Sequence, residues 1–507
     1  MIRELKRLRK LPTTFLQLIR GLCREDGSVG QKTVRGGIWV FGGRGTARVL
    51  QVAQTAILAR LLIPEDFGLM RLVMVALSAA TSFSNFGINQ ALIQRKEISH
   101  RTLDTAWVMD LFRYVLMFLA TLALAGPIAT FYEEPQLAWM IRIVSLKFLL
   151  LGFSNNSGIA MLRRDMRFRR KQTYEIVLSI SNTVVTVMLA FWLRNVWALV
   201  WAQVIYGAGE FAGSYWVHPF RPHFHFFLDE ARSLFSFGKH LLVGGMLNFL
   251  KGSLASILLG KLLGTETLGY YSLARSLVMT PISLVVPVFG VVLYPAFSQI
   301  QARVEALQRA FIRSIGVGCL AIAPMLVGIA VTANPLVSLI YGQRYMPVAA
   351  IAVVFSFVKL FEFVALPAGS LLKALGKPYW KNLSTLIRMA IFVPLLFWLT
   401  PYYGVLGVVW ALVPAAAVET SLLVLLVFRE IGVPLRDFTE AVVRPISASL
   451  LMGGTVWALG YYTATGPFVS LSVMVPAGIL VYAIWSVCLN GPGWQQAFKM
   501  VRQATQA

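Results

Sequence analysis

The chain has 507 residues, of which 57% are hydrophobic and only 13% charged, with a formal net charge of +24. Soluble domains carry about twice that charged fraction, and the recurring apolar runs exclude an array of soluble domains in favour of one membrane domain. The basic residues sit mostly in short loops between those runs, as expected where charge fixes membrane orientation, so nucleic acid is not the expected partner.

Residues 1–33 form a basic segment with Pro12 and an apolar cluster of Phe15, Leu16, Leu18, Ile19 and Leu22, expected to lie on the cytoplasmic membrane surface. Within it, Gly27 to Thr33 is similar to a Walker A loop. It fails because Gln31 stands where a glycine must precede Lys32, and no strand comes before it. Each span needs about 20 mostly apolar residues, with breaks at Pro, Gly and charge clusters. On that rule spans fall near 34–62, 67–93, 103–127, 137–161, 172–193 and 196–217, then 240–262, 268–296, 310–333, 347–372, 380–400, 404–428, 439–461 and 468–489. The expectation is an all-α membrane protein of about 14 transmembrane helices. It divides into an N-lobe (34–217), a connection (218–239), a C-lobe (240–430), two further spans (431–490) and a tail (491–507).

Arginine and lysine crowd the even-numbered loops, for example Arg163, Arg164, Arg167, Arg169, Arg170 and Lys171 in the fourth. The odd-numbered loops hold little beyond Arg194 and Arg344, and acids such as Glu65, Asp66, Glu133 and Glu134. Both termini are then cytoplasmic. The short loops leave no room for a folded extramembrane domain, which argues against a membrane glycosyltransferase or polymerase working on a large outer loop. Cys23, Cys319 and Cys488 are far apart, and His218, His223 and His225 follow no metal-ligand spacing, so no metal site is expected.

Two echoes point to duplication. Arg60 to Gly68 (RLLIPEDFG) and Lys261 to Gly269 (KLLGTETLG) share Leu, Leu, Glu and Gly at an offset of 201 residues. Val196, Val200, Trp201, Ala202 and Glu210 match Val405, Val409, Trp410, Ala411 and Glu419 at an offset of 209. A repeated six-helix unit keeps its orientation, so the lobes are expected to be related by a pseudo-two-fold along the membrane normal, with two C-terminal helices appended. Two lobes facing each other make a cleft and favour alternating access.

Ionisable groups at bilayer depth are costly and persist where they face a polar cavity or a partner. The spans contain Arg44, Arg48, Arg113, Arg142, Lys147, Lys251, Arg275, Lys359 and Arg388 against Asp110, Glu210, Glu362 and Glu419. Cations exceed acids, so an anionic substrate is expected to supply the missing charge. Arg44 and Arg48 lie four apart on one helix face among small residues, spaced to hold a phosphate or diphosphate with guanidinium forks. The candidate substrate-binding set is Arg44, Arg48, Arg113, Arg142, Lys251, Lys359 and Arg388. Asp110, Glu210, Glu362 and Glu419 are candidate ion-coupling or ion-pair acids.

Ala59 to Gly68 (ARLLIPEDFG) resembles the "ARLLsPedFG" signature of bacterial polysaccharide-transport proteins, and Leu258 to Gly264 with Leu268 to Tyr271 resembles its second-lobe counterpart. The family is the Wzx-type flippase branch of the MOP superfamily, nearest its colanic-acid and exopolysaccharide exporters, and the resemblance covers about residues 30–430. It implies a V-shaped two-lobe fold with a cationic cavity in the inner membrane. It also implies flipping of undecaprenyl-diphosphate-linked repeat units to the periplasmic leaflet, beside a polysaccharide polymerase and a chain-length regulator. No enzyme activity and no cofactor are expected; an H+ or Na+ gradient or the membrane potential can supply the energy. A cation-coupled drug exporter of the same superfamily is the alternative, and it would favour buried carboxylates.

Overall fold

A backbone in hydrocarbon must satisfy its own N–H and C=O groups, so apolar runs of membrane length fold as helices. The computed structural model describes residues 29–506 except 96, 166 and 463–465; the expected surface segment at 1–28, with Cys23, lies outside the described residues. Among the described residues there are helices and no strand. They are α1 (Val29–Leu61), α2 (Pro64–Phe83), α3 (Ile88–Gln94), α4 (His100–Tyr132), α5 (Pro135–Phe153), α6 (Asn156–Arg164), α7 (Phe168–Leu193) and α8 (Trp197–Val217). After the connection come α9 (Leu228–Gln299), α10 (Val304–Val331), α11 (Ala333–Ile340), α12 (Pro347–Ala374), α13 (Tyr379–Ile431), α14 (Leu435–Tyr462) and α15 (Pro467–Gln506). Among the described residues ten helices are long and apolar enough to cross a membrane.

Several boundaries differ from expectation, each for a local reason. The run expected at 67–93 stops at Phe83 and restarts as α3 after Gly87, whose φ of 63° turns the chain. The run expected at 137–161 stops at Phe153. There the Asn155 side chain accepts from the Gly158 amide to start α6 and donates to the Phe220 carbonyl. Helix α1 begins at Val29 rather than 34, and α15 runs on to Gln506 through the expected tail. Helices α9 and α13 are each broken at a glycine of positive φ, Gly264 (79°) and Gly404 (54°). Offsets of 201 and 209 place these breaks opposite Ile63 and Asn195, where the first half of the chain also leaves the helix.

The second echo is matched in burial as well as sequence. Val200 and Val409 are both 0% exposed, while Trp201 and Trp410 are 42% and 50% exposed. In the N-lobe α4 packs on α5, α5 and α7 on α8, and α1 on α7; in the C-lobe α12 packs on α9, α10 and α13, and α10 carries α14. The lobes meet chiefly where α2 runs against α9.

That seam contains the first echo packed against itself. A Cβ on Gly68 would stand 1.8 Å from the Thr265 carbonyl oxygen, and one on Gly269 would stand 1.9 Å from that of Pro64. Residues 64 and 68 thus meet 265 and 269 reciprocally, at the repeat's own offset. Small residues at helix crossings let backbones approach in this way.

Candidate functional site

Cross-lobe bonds concentrate on the face that carries the odd-numbered loops. Tyr345 Oη donates to the Leu62 carbonyl at 2.8 Å, Arg60 to that of Leu339 at 3.0 Å, and Lys261 to Glu133 at 2.6 Å. Cavities lie behind this seal. Two of them extend toward the opposite face, reaching Lys377's neighbour Pro378 in the C-lobe and Arg163 in the N-lobe.

A central cleft of about 730 Å³ separates α1, α7 and α8 from α9. Arg44, Arg48, Gln51, Gln54 and Thr55 line it from α1, as their spacing on one helix face requires. Met279, Ile282, Ser283 and Pro287 of α9 face them. Arg48 bonds Gln51 on its own helix, and neither arginine has a carboxylate among the described ion pairs. One turn beyond Met279, Arg275 stands near Arg71 of α2 and Lys359 of α12. Arg71 Nε donates to Ser256 Oγ at 3.1 Å. Both guanidinium groups add positive charge to the seam.

The C-lobe charges form one chain of alternating sign. Lys359 Nζ donates to Glu362 at 2.7 Å, Arg388 bridges Glu362 (2.6 Å) and Glu419 (2.9 Å), and Lys251 Nζ reaches both Glu419 oxygens at 2.7 Å. Thr385 Oγ1 adds a bond to Glu419 at 3.3 Å. Three cations share two carboxylates across α9, α12 and α13. Lys251, Glu362 and Glu419 also line a C-lobe cavity of about 720 Å³, together with Lys373 and Lys381.

Two further ion pairs lie in the N-lobe. Arg113 is 2.9 Å from Asp110 on α4, and Lys147 is 3.5 Å from Glu210 with its ammonium over the Tyr206 ring. Arg142 sits over Trp139, a residue 60% exposed on the outer surface, and lines none of these three cavities. An N-lobe cavity of about 450 Å³ joins the cleft through Arg44, Ala47, Ser179 and Tyr206. Of the expected substrate-binding residues, the structure thus brings Arg44 and Arg48 to the cleft without an acid. It ties Arg113, Lys251, Lys359 and Arg388 to Asp110, Glu362 and Glu419. Glu210 and Glu419, expected as pairing or ion-coupling acids, each face a lysine.

The model of a family described as "Polysaccharide biosynthesis protein" matches residues 57–350. The chain belongs to the polysaccharide biosynthesis protein family. It is 26% identical to the lipopolysaccharide biosynthesis protein WzxC of Escherichia coli (strain K12), over 85% of this chain and 88% of that one. It is 24% identical to the teichuronic acid biosynthesis protein TuaB of Bacillus subtilis (strain 168), over 90% and 95%. Its fold matches the solved structure of the lipid II flippase MurJ in an inward closed conformation, with a TM-score of 0.68 at 14% identity, covering 89% of this chain and 98% of that one. This family member is accordingly a multi-pass, all-helical membrane protein.

Sequence reading missed Arg71, although a lone arginine inside Leu69-Met70-Arg71-Leu72-Val73 was itself the signal. It also left Lys381 out of the candidate set, although the expected span 380–400 contains it; α13 begins at Tyr379, and Lys381 lines the C-lobe cavity. Glu175, which accepts from Lys171 and Gln172 beside the N-lobe cavity, was missed too, although it is an acid inside the expected span 172–193.

Proposed function

We propose that the chain is a flippase that moves an undecaprenyl-diphosphate-linked oligosaccharide from the cytoplasmic to the periplasmic leaflet of the bacterial inner membrane. The observation that carries this reading is the pair Arg44 and Arg48, lining a wide cleft with no carboxylate paired to either among the described residues. A diphosphate offers these guanidinium groups paired acceptor oxygens, and Arg71 and Arg275 extend the positive field toward the seam. An organic cation would be repelled here, which disfavours a drug exporter. In this reading Lys359, Arg388 and Glu362 hold the C-lobe helices together, and no covalent chemistry takes place.

The bent helices α9 and α13 each cross the bilayer twice, and α1 and α8 cross as well. With the ten apolar helices that gives fourteen spans, with both termini cytoplasmic and the sealed face periplasmic. In this reading the cavities face the cytoplasm, and transport follows when the lobes rock about the α2–α9 seam.

The test is translocation of a lipid-linked oligosaccharide by the purified protein in vesicles. Arg44→Ala and Arg48→Ala are each expected to lower the rate by about tenfold or more, the value of one lost charge-assisted hydrogen bond, with the folded fraction unchanged. Native rates in both variants overturn the assignment of the seat. Sugar transfer by the purified protein overturns the transport reading itself.

A further inference from the structure

We infer that the N-lobe cavity is a sugar-binding subsite, which receives the part of the glycan nearest the diphosphate. The inference rests on the reading of Arg44 and Arg48 as the diphosphate seat. Arg44 and Tyr206 belong to the walls of both the cleft and the N-lobe cavity. A sugar linked to a diphosphate at Arg44 therefore lies at the mouth of the cavity. Its volume of about 450 Å³ falls in the range of small-ligand pockets.

The lining has the chemistry of a carbohydrate site. Tyrosine rings supply apolar faces for the C–H faces of a pyranose, while amides and carboxylates supply acceptors for its hydroxyls. Tyr174 and Tyr206 provide the rings, and Asn89, Glu175 and Glu210 the acceptors. The sequence builds these positions locally. Gly213 of α8 makes room for Tyr174, since a Cβ there would come within 2.6 Å of the ring. Asn89 stands in the first turn of α3, two residues after the left-handed Gly87.

Asn89 Oδ1 is buried and accepts no hydrogen bond among the described residues, and Glu210 Oε2 has only Lys147 Nζ, at 3.5 Å. Buried acceptors are ordinarily satisfied, and a hydroxyl-rich ligand satisfies these. Glu175 is already bonded to Lys171, and Glu210 faces Lys147, so the acids are neutralised and the cavity does not offer a metal cation a negative seat. The C-lobe cavity differs: its lining holds three lysines and no amide, a single tyrosine, and two carboxylates already tied into ion pairs.

Binding of two lipids to the purified full chain in nanodiscs tests the subsite. One is polyprenyl diphosphate without sugar; the other carries a single hexose, N-acetylhexosamine or hexuronic acid. The native chain is expected to bind its best sugar-bearing lipid about tenfold more tightly than the bare one. Asn89→Ala and Tyr174→Leu are each expected to cut that preference about fivefold or more, with affinity for the bare lipid kept. Asn89→Ala removes an atom without an internal partner, so it keeps the test valid where Tyr174→Leu impairs folding. No sugar preference in the native chain, or an undiminished preference in Asn89→Ala, overturns the subsite. If the native chain binds neither lipid, the diphosphate reading itself is overturned.

Discussion

Alanine at Gly68 or Gly269 is expected to abolish transport and to lower the folded fraction in membranes, with near-equal effects at the two positions. The added methyl would stand 1.8 Å from the Thr265 carbonyl oxygen in one case and 1.9 Å from that of Pro64 in the other. Neither obstacle is the end of a flexible side chain. Each is backbone inside a helix, so the helices must part. Overpacking of a tight core costs about 1–3 kcal/mol, and here the collision falls on the principal contact between lobes. Because both glycines belong to one crossing, the double variant is expected to be little worse than either single one. Gly126→Ala is the control, since its Cβ would meet nothing within 4 Å. The measurements are monodisperse yield after solubilisation and translocation in vesicles. Native behaviour of Gly68→Ala would show that the seam is not a rigid crossing.

Removal of Glu419 is expected to be more damaging than removal of Lys251, although they are partners. Lys251, Lys359 and Arg388 against Glu362 and Glu419 leave one net positive charge. Loss of Lys251 brings the cluster to neutrality, and Glu419 keeps Arg388 and Thr385. Loss of Glu419 doubles the excess to two and strands Lys251 beside Lys381. Breaking a buried pair on one side costs about 3–5 kcal/mol. Glu419→Gln is therefore expected to lower thermal stability steeply, and Lys251→Met only slightly. Adding Lys251→Met to Glu419→Gln is expected to restore part of the loss. A double variant no more stable than Glu419→Gln alone would show that Lys251 and Glu419 are not coupled.

The architecture was largely legible because duplication leaves its mark in residues that packing cannot spare. Gly68 and Gly269 are fixed by a backbone collision, and Trp201 and Trp410 by their shared exposure, so both echoes could be read by eye. The charges were legible only in part. Arg44 and Arg48 act through neighbours on the same helix, and spacing places them correctly. Lys251 has no acid within a turn, and its partner lies 168 residues away. No local rule anticipates a contact made by the folding of α13 against α9. The expected excess of positive charge holds in the cleft and is mostly compensated in the C-lobe. The breaks after Phe83 and Phe153 carried turn signals, Ser84-Asn85-Phe86-Gly87 and Ser154-Asn155-Asn156, which apolar residues resuming in α3 and α6 masked.

The reciprocal crossing of α2 and α9 asks little of the residues around it. Its acceptors are main-chain carbonyls, which residues 64 and 265 present whatever their side chains, and its only fixed demand is a hydrogen in place of a side chain at 68 and 269. Lobes from two different relatives can then be spliced in the 218–227 connection ahead of α9, provided each keeps its glycine and the pairs Lys261–Glu133 and Arg71–Ser256 are matched. A hybrid gene of this kind would inherit its glycan preference with the first half.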